Sequence, residues 1–213
     1  MWIIQLLFDR IFPPACALCK QRNTFLCDAC LRHMKRSVDT PHPWIYSYYS
    51  FRDEHVRTAL RAFKYYRKTN IGKRLTSHII DSELRTFLAG MPQPYLVPIP
   101  MNTFRKWSRG NDHTHFIAQE LAHELAIPLL EGLVLRNLNT KQQAKTSTRS
   151  EREKSIHGAF KVNTTLLAQN ISLLERTIIL IDDITTTGAT LREAKKMLEK
   201  AGFKNVLAIT LAH

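Results

Sequence analysis

No stretch of this sequence is both long and apolar enough to cross a membrane. The apolar segment near the N-terminus, residues 2–8, is seven residues long and is followed by Asp9 and Arg10. A membrane-spanning helix needs about 20 apolar residues, and a signal peptide carries basic residues ahead of its apolar part, which this segment lacks. The sequence therefore predicts a helix at residues 2–9 that packs on the protein, no membrane insertion, and a cytoplasmic location.

Acidic residues are scarce in the chain. Eighteen Asp and Glu residues oppose 31 Lys and Arg residues, which leaves a formal net charge of +13. An excess of this size is typical of proteins whose partners are polyanions, such as nucleic acids, anionic lipids or phosphorylated small molecules. A basic surface that only keeps the protein in solution is the alternative. The apolar fraction of 44% argues against general disorder.

Cysteine is absent outside one short segment. There the four cysteines form two C-x2-C pairs, Cys16 with Cys19 and Cys27 with Cys30. Four thiolates brought together complete the tetrahedral coordination of a structural zinc ion. The alternatives are two disulfides, which a reducing cytosol disfavours, and a redox-active C-x2-C, which needs only one pair. His33 and His42 are near enough to replace a ligand, but with four cysteines present we expect both to be surface residues.

Beyond the cysteines, helix and strand patterns alternate. Prolines at 41 and 43 mark a linker, so we predict an N-terminal helix and zinc module over residues 1–40 and a second domain over residues 41–213. Helical spacing of apolar residues covers 53–66, 71–88, 116–125 and 190–201, and strand-like runs cover 44–51, 95–100, 129–135, 177–181 and 206–211. This alternation predicts an α/β fold with a mostly parallel sheet flanked by helices. The polar, basic segment 141–155 predicts a long functional loop.

The most informative segment follows the apolar run at 177–181. Two acids stand first and a loop of small residues comes next: Asp182, Asp183, Ile184, Thr185, Thr186, Thr187, Gly188, Ala189 and Thr190. Open α/β sheets bind ligands beyond the carboxyl ends of their strands, where backbone N–H groups, hydroxyls and a helix start can hold a phosphate. A glycine lets the backbone approach that phosphate, and the carboxylates suit ribose hydroxyls or Mg²⁺.

An ordinary helix with an acidic N-cap is the alternative interpretation of this segment. It accounts for one acid and one threonine, but not for two acids, four threonines and a glycine together. The segment is not a P-loop, because no G-K-[ST] follows the glycine spacing.

These residues resemble the phosphoribosyl-pyrophosphate signature of type I phosphoribosyltransferases: an apolar strand, Asp-Asp, an aliphatic residue and Thr-Thr-Thr-Gly-Ala-Thr. The resemblance implies a type I phosphoribosyltransferase-like fold behind the zinc module. It also implies that Asp182 and Asp183 contact ribose hydroxyls, that residues 185–190 hold the 5′-phosphate, and that magnesium is bound with phosphoribosyl pyrophosphate.

With the cysteine pairs included, nearly the whole chain resembles the ComF late-competence family. Shared elements include Phe63-Lys64-Tyr65, Val97-Pro98-Ile99-Pro100 and Gly158-Ala159-Phe160. The resemblance implies a protein that handles incoming single-stranded DNA in the cytoplasm during natural transformation, beside a competence translocase and recombination mediators. The chain departs from the family after Arg109-Gly110, where it continues Asn-Asp-His instead of Phe-Asn-Gln.

Two functions stay open at this point. An active transferase would use basic side chains to neutralise the leaving pyrophosphate. A nucleic-acid-handling protein would use them along a single strand, together with aromatic side chains between Tyr46 and Arg74. The predicted contacts to pyrophosphate or nucleic acid are Lys64, Arg105, Arg109, Lys141, Lys145 and Arg152. The sequence identifies no catalytic base and no acceptor.

Overall fold

The computed structural model describes residues 13–65, 69–101, 112–137 and 156–213, without the side chain of Tyr65. Several predicted features lie outside the described residues: the helix at 2–9, the basic loop at 141–155, and the basic residues Arg105, Arg109, Lys141, Lys145 and Arg152. None of the helices described has the length and apolar character that a membrane crossing requires.

Helices and strands alternate as the sequence predicts. The helices are α1 (Asp28–His33), α2 (Glu54–Tyr65), α3 (Thr69–His78), α4 (Ser82–Leu88), α5 (His113–Leu125), α6 (Thr164–Gln169) and α7 (Ala189–Lys200), with a 3-10 helix at Ile171–Glu175. The strands are β1 (Ile45–Tyr49), β2 (Tyr95–Pro98), β3 (Val134–Arg136), β4 (Phe160–Val162), β5 (Thr177–Ile184) and β6 (Asn205–Ala212).

Four strands form a parallel sheet in the order β1-β6-β5-β2. Residues 177–181 of β5 are buried on both faces of the sheet, which explains their unbroken apolar pattern. Ile179 and Ile181 contact one buried cluster with α2, α3 and α5, whereas Ile178 and Leu180 contact a second cluster with α7. The predicted α/β fold is confirmed: a parallel sheet lies between two layers of helices. The short strands β3 and β4 form an antiparallel pair beside α7.

The cysteine segment packs on the sheet domain through a shared core. Cys16, Leu26 and Leu31 belong to the same buried cluster as residues of α2 and α3. At the surface, Arg74 of α3 forms an ion pair with Asp28, which lies between the two cysteines of the second pair. The cysteine segment and the helical layer are therefore in direct contact, and the division at residue 40 stays a prediction.

Two predicted element boundaries are wrong. Residues 71–88 form two helices because Asp81 caps the second one, accepting a hydrogen bond from the Leu84 N–H at 2.9 Å. The run at 129–135 is a strand only from Val134 onward. Leu129 instead makes a single parallel bridge with Leu96, beside the edge strand β2.

Candidate functional site

Two carboxylates stand at the carboxyl end of β5. Asp182 Oδ1 accepts a hydrogen bond from the Asp183 N–H at 2.8 Å. Asp183 Oδ2 lies 2.5 Å from the ammonium nitrogen of Lys64, which comes from the last turn of α2. Both partners of this ion pair are mostly buried, with 14% and 15% of their side chains exposed. The structure therefore brings one of the predicted basic residues directly onto the predicted acidic pair.

The carboxyl group of Asp182 differs from an ordinary surface acid. Burial, followed by the neighbouring Asp183 carboxylate, raises the pKa of Asp182 to about 7, although Lys64 opposes this rise. The carboxyl group of Asp182 therefore loses its proton less readily than an exposed carboxyl group does. Asp112 adds to the negative charge around Asp182.

The loop after the acids is held by the end of the sheet. Thr185 is buried, and its N–H donates to the carbonyl of Ala212 at 2.9 Å, so the β5–β6 pairing continues into the loop. The Thr187 hydroxyl accepts the N–H of Ala189 at 3.3 Å, at the start of α7. The loop thus presents hydroxyl side chains and the positive end of a 12-residue helix side by side, as a phosphate site requires.

Gly188 is required in this loop for two reasons. It has a φ of 71°, in the left-handed region that favours glycine. A Cβ atom at this position would lie 3.2 Å from His42 Cδ2 and 3.4 Å from Ile45 Cδ1. Any side chain there would strain the backbone and press on the residues packed behind the loop.

His42 lies behind this loop and not beside the cysteines. Its Nε2 atom is 3.1 Å from Nη1 of Arg192 in α7, and its ring stacks on Trp44 with centroids 5.7 Å apart. His42 thus lies at the surface, half-buried, and connects the linker to α7. Arg192 is 150 positions away in the sequence, and no local pattern predicts such a contact.

The four cysteines form a compact group. Their sulfur atoms all lie within 4.8 Å of one another, and the Sγ atoms of Cys19 and Cys27 are 3.6 Å apart. The sulfurs of a tetrahedral zinc–tetrathiolate site are separated by about 3.8 Å, given Zn–S bonds of about 2.3 Å. A disulfide would need a sulfur–sulfur distance of about 2.05 Å, and none of the four cysteines forms one. The group can hold a metal ion, and it is the arrangement that the two C-x2-C pairs predict.

Backbone N–H groups support the thiolate form of Cys16, whereas burial and the neighbouring cysteines raise the pKa of Cys30. The N–H of Cys27 points at Cys16 Sγ, and the N–H of Cys30 at Cys27 Sγ, each at 3.5 Å. Burial alone would raise the pKa of Cys16, but hydrogen bonds from the backbone, led by that of Cys27, lower it to about 6. A thiolate is the form that binds metal, so the structure fits a bound cation at this group.

Several aromatic side chains between Tyr46 and Arg74 face the interior, among them Phe63, whereas Tyr66 and the side chain of Tyr65 lie outside the described residues. Tyr48, Tyr49 and Phe63 are buried, and the hydroxyl of half-buried Tyr46 donates to Asp81 at 3.1 Å. These four rings pack the helical layer against β1 and are not available to stack on bases. The expectation of a mixed basic and aromatic surface is therefore not met by them.

A pocket of about 240 Å³ lies where α2, α3 and α5 meet. Its lining combines aromatic rings with polar side chains: Phe63, Thr69, Asp112, His113, His115, Phe116 and Gln119. The pocket is smaller than the usual range for ligand sites, which begins at about 300 Å³. Asp112 lines it and also caps α5, accepting the His115 N–H at 3.1 Å. Sequence reasoning named Asp112 only as a departure from the family pattern.

Comparisons with known proteins agree with this fold. The phosphoribosyl transferase domain family matches residues 116–213, from α5 to the end of β6. "Competence protein F" of Haemophilus influenzae is 27% identical over 93% of this chain and 84% of its own length. "Competence protein ComFC" of Bacillus subtilis is 30% identical over 92% of this chain and 71% of its own. "DNA utilization protein YhgH" of Salmonella typhi is 25% identical over 91% of this chain and 80% of its own length.

Proposed function

The chain belongs to the ComF family of competence proteins, and on this premise we propose that it handles incoming single-stranded DNA during natural transformation and carries a site of the phosphoribosyl-pyrophosphate type. The observation that carries the proposal is the arrangement at the end of β5, where two carboxylates and a threonine-rich loop precede α7. The net charge of +13 favours a polyanionic partner.

The proposed ligand contacts follow from the chemistry of each part. The carboxylates of Asp182 and Asp183 accept hydrogen bonds from the two ribose hydroxyls. The hydroxyls and N–H groups of residues 185–190, at the positive end of α7, hold the 5′-phosphate. Gly188 allows the left-handed backbone turn of this loop, and Lys64 contributes positive charge beside the sugar.

We further propose that the ion at the four cysteines is zinc with a structural role. Four thiolates leave no open coordination position for water or substrate. Cys16 and Cys27 lie in the same buried cluster as residues of α3 and of α2, the helix that carries Lys64. The zinc module therefore supports the layer that positions Lys64, and it is not itself a site of chemistry.

The first test is a calorimetric titration of the zinc-loaded protein with phosphoribosyl pyrophosphate and Mg²⁺. Asp182→Asn combined with Asp183→Asn is expected to weaken binding by about 100-fold or more, since each hydrogen bond to a charged group is worth about 1.5–3 kcal/mol. Asp39→Asn is the matched control, because Asp39 is exposed in the linker. Equal binding by the double variant and the wild type, with both folded, would overturn the assignment of the sugar site.

The second test measures single-stranded DNA binding at two salt concentrations. Raising the salt from 50 to 200 mM is expected to weaken binding at least about ten-fold if about three phosphates are neutralised. Each neutralised phosphate adds about 0.7 to the slope with which the logarithm of the binding constant falls against the logarithm of the salt concentration. Arg61→Glu, on the exposed face of α2, should weaken binding further. Lys204→Glu is the control, since this exposed lysine lies at the amino end of β6, opposite to the carboxyl end of β5 that holds the acids. Binding that is indifferent to salt and to Arg61→Glu would contradict a DNA path across this face.

A second candidate function is transfer of the phosphoribosyl group to an acceptor, and the pocket between α2, α3 and α5 favours it. Half-buried Phe116 offers an apolar ring surface in this pocket, and Asp112 and Gln119 offer polar groups, a combination suited to a small planar acceptor. Release of pyrophosphate on addition of an acceptor would decide for this alternative. Saturable ligand binding without such release favours a binding role in DNA uptake.

A further inference from the structure

We propose that the Lys64 ammonium is the resident cation of the Asp182–Asp183 pair and stands where a divalent cation would otherwise bind. The inference rests on the proposed function only in treating this pair as the sugar-binding part of the site. Before any ligand binds, the charge of the two acids is neutralised by Lys64 and not by a metal ion.

The contact is too well enclosed to be an ordinary surface ion pair. The 2.5 Å distance joins two side chains that are each about 85% withdrawn from water, since 14% and 15% of them remain exposed. The neighbouring residue in α2, Phe63, is only 2% exposed. Its ring centroid lies 4.9 Å from that of His113 and 5.6 Å from that of Phe116. The last turn of α2 is therefore fixed in the core, and it presents the ammonium at the end of β5.

The oxygens of the acidic pair are already engaged in ways that disfavour a directly bound Mg²⁺. This ion requires near-octahedral oxygen ligands at about 2.1 Å. Asp183 Oδ2 is occupied by Lys64, and Asp182 Oδ1 accepts the Asp183 N–H. A divalent cation would therefore have to displace Lys64 from Asp183 in order to bind these two acids directly.

A fixed ammonium has consequences for ligand choice. It keeps the Asp183 carboxylate charged and oriented, so that the sugar hydroxyls meet a preformed acceptor without a metal ion. A 5′-phosphorylated sugar without a diphosphate should then bind in the absence of divalent cations. Any magnesium requirement would belong to the diphosphate of a larger ligand, and Lys64 is a positioning residue for the sugar.

The test is a titration of the zinc-loaded full-length protein with Mn²⁺, followed by electron paramagnetic resonance. The wild type is expected to show no Mn²⁺ site that depends on Asp183. Lys64→Met should create one, with affinity at least ten-fold above the wild type, and adding Asp183→Asn should remove it. Lys64→Arg keeps the cation and should create none. Lys73→Met is the matched control, because Lys73 is exposed and lies 3.9 Å from Glu120.

An Mn²⁺ site in the wild type that disappears in Asp183→Asn would overturn the inference, and so would the absence of a new site in folded Lys64→Met. Lys64→Gln serves as a second variant in case the methionine protein does not fold. Ribose 5-phosphate titrated in buffer freed of divalent cations, without a soluble chelator that would strip zinc, provides a separate readout. Failure of this sugar to bind would count against the proposed function, whereas the Mn²⁺ result still decides which cation the acids hold.

Discussion

Cys16→Ser is expected to lower the thermal midpoint of the whole protein, and not only to loosen its N-terminal segment. Cys16 is fully buried and belongs to the same apolar cluster as Val56 and Leu60 of α2. Structural zinc contributes about 10–16 kcal/mol of folding free energy in small zinc modules, so losing one of four ligands should cost several kcal/mol. At about 2–4 °C per kcal/mol for a chain of this size, we expect a decrease of about 10 °C.

The measurement is thermal unfolding of the purified protein, followed by circular dichroism, with bound zinc counted by a colorimetric chelator. His33→Ser is the control, because this histidine is exposed and follows the second cysteine pair by three positions without joining the sulfur group. Chelator treatment of the wild type should reproduce the effect of the substitution. A destabilised Cys16→Ser protein beside a wild type that contains no metal would mean that the thiol is needed only for packing.

Sequence patterns predicted the parts of this protein that are encoded locally. The strand that carries Asp182, the loop around Gly188 and the two cysteine pairs are each continuous or nearly continuous segments, and their chemistry can be inferred from neighbouring residues. The split between α3 and α4 was missed because Asp81, one capping residue, interrupts a run whose apolar spacing continues through it.

Contacts between distant segments were outside the reach of such patterns. The Lys64–Asp183 ion pair and the packing of His42 on Gly188 depend on the way α2 and the linker cross the sheet edge. The sequence predicts Lys64 as a contact to pyrophosphate or nucleic acid, but no local pattern indicates its ion pair with Asp183, in which both side chains are mostly buried. Spacing identifies the face of a helix that is apolar, but it does not identify the partner that the end of the helix meets.

Gly72→Leu is expected to destabilise the protein by about 3 kcal/mol or more, the upper end for an overpacked core. Gly72 is buried in α3, and a Cβ atom there would lie 2.4 Å from Cε2 of Phe63. Carbon atoms in favourable contact are about 3.5–4.0 Å apart, so the ring or the helix must move. Even Gly72→Ala, which gains about 1 kcal/mol of helix propensity, is expected to be less stable than the wild type. Thermal unfolding measures both effects.

Asn70→Leu is the matched control, since Asn70 is exposed on the same helix and should tolerate the same side chain with little loss. A double-mutant cycle with Phe63→Ala assigns the cause. If the added side chain at 72 acts by displacing the Phe63 ring, the cavity left by Phe63→Ala receives it, and the double variant is more stable than the sum of the two losses predicts. Additive losses would mean that Gly72 is required for some other reason. Because Phe63 immediately precedes Lys64, displacement of the ring should also disturb the ion pair with Asp183, so that Gly72→Ala weakens sugar-phosphate binding in the fraction that remains folded.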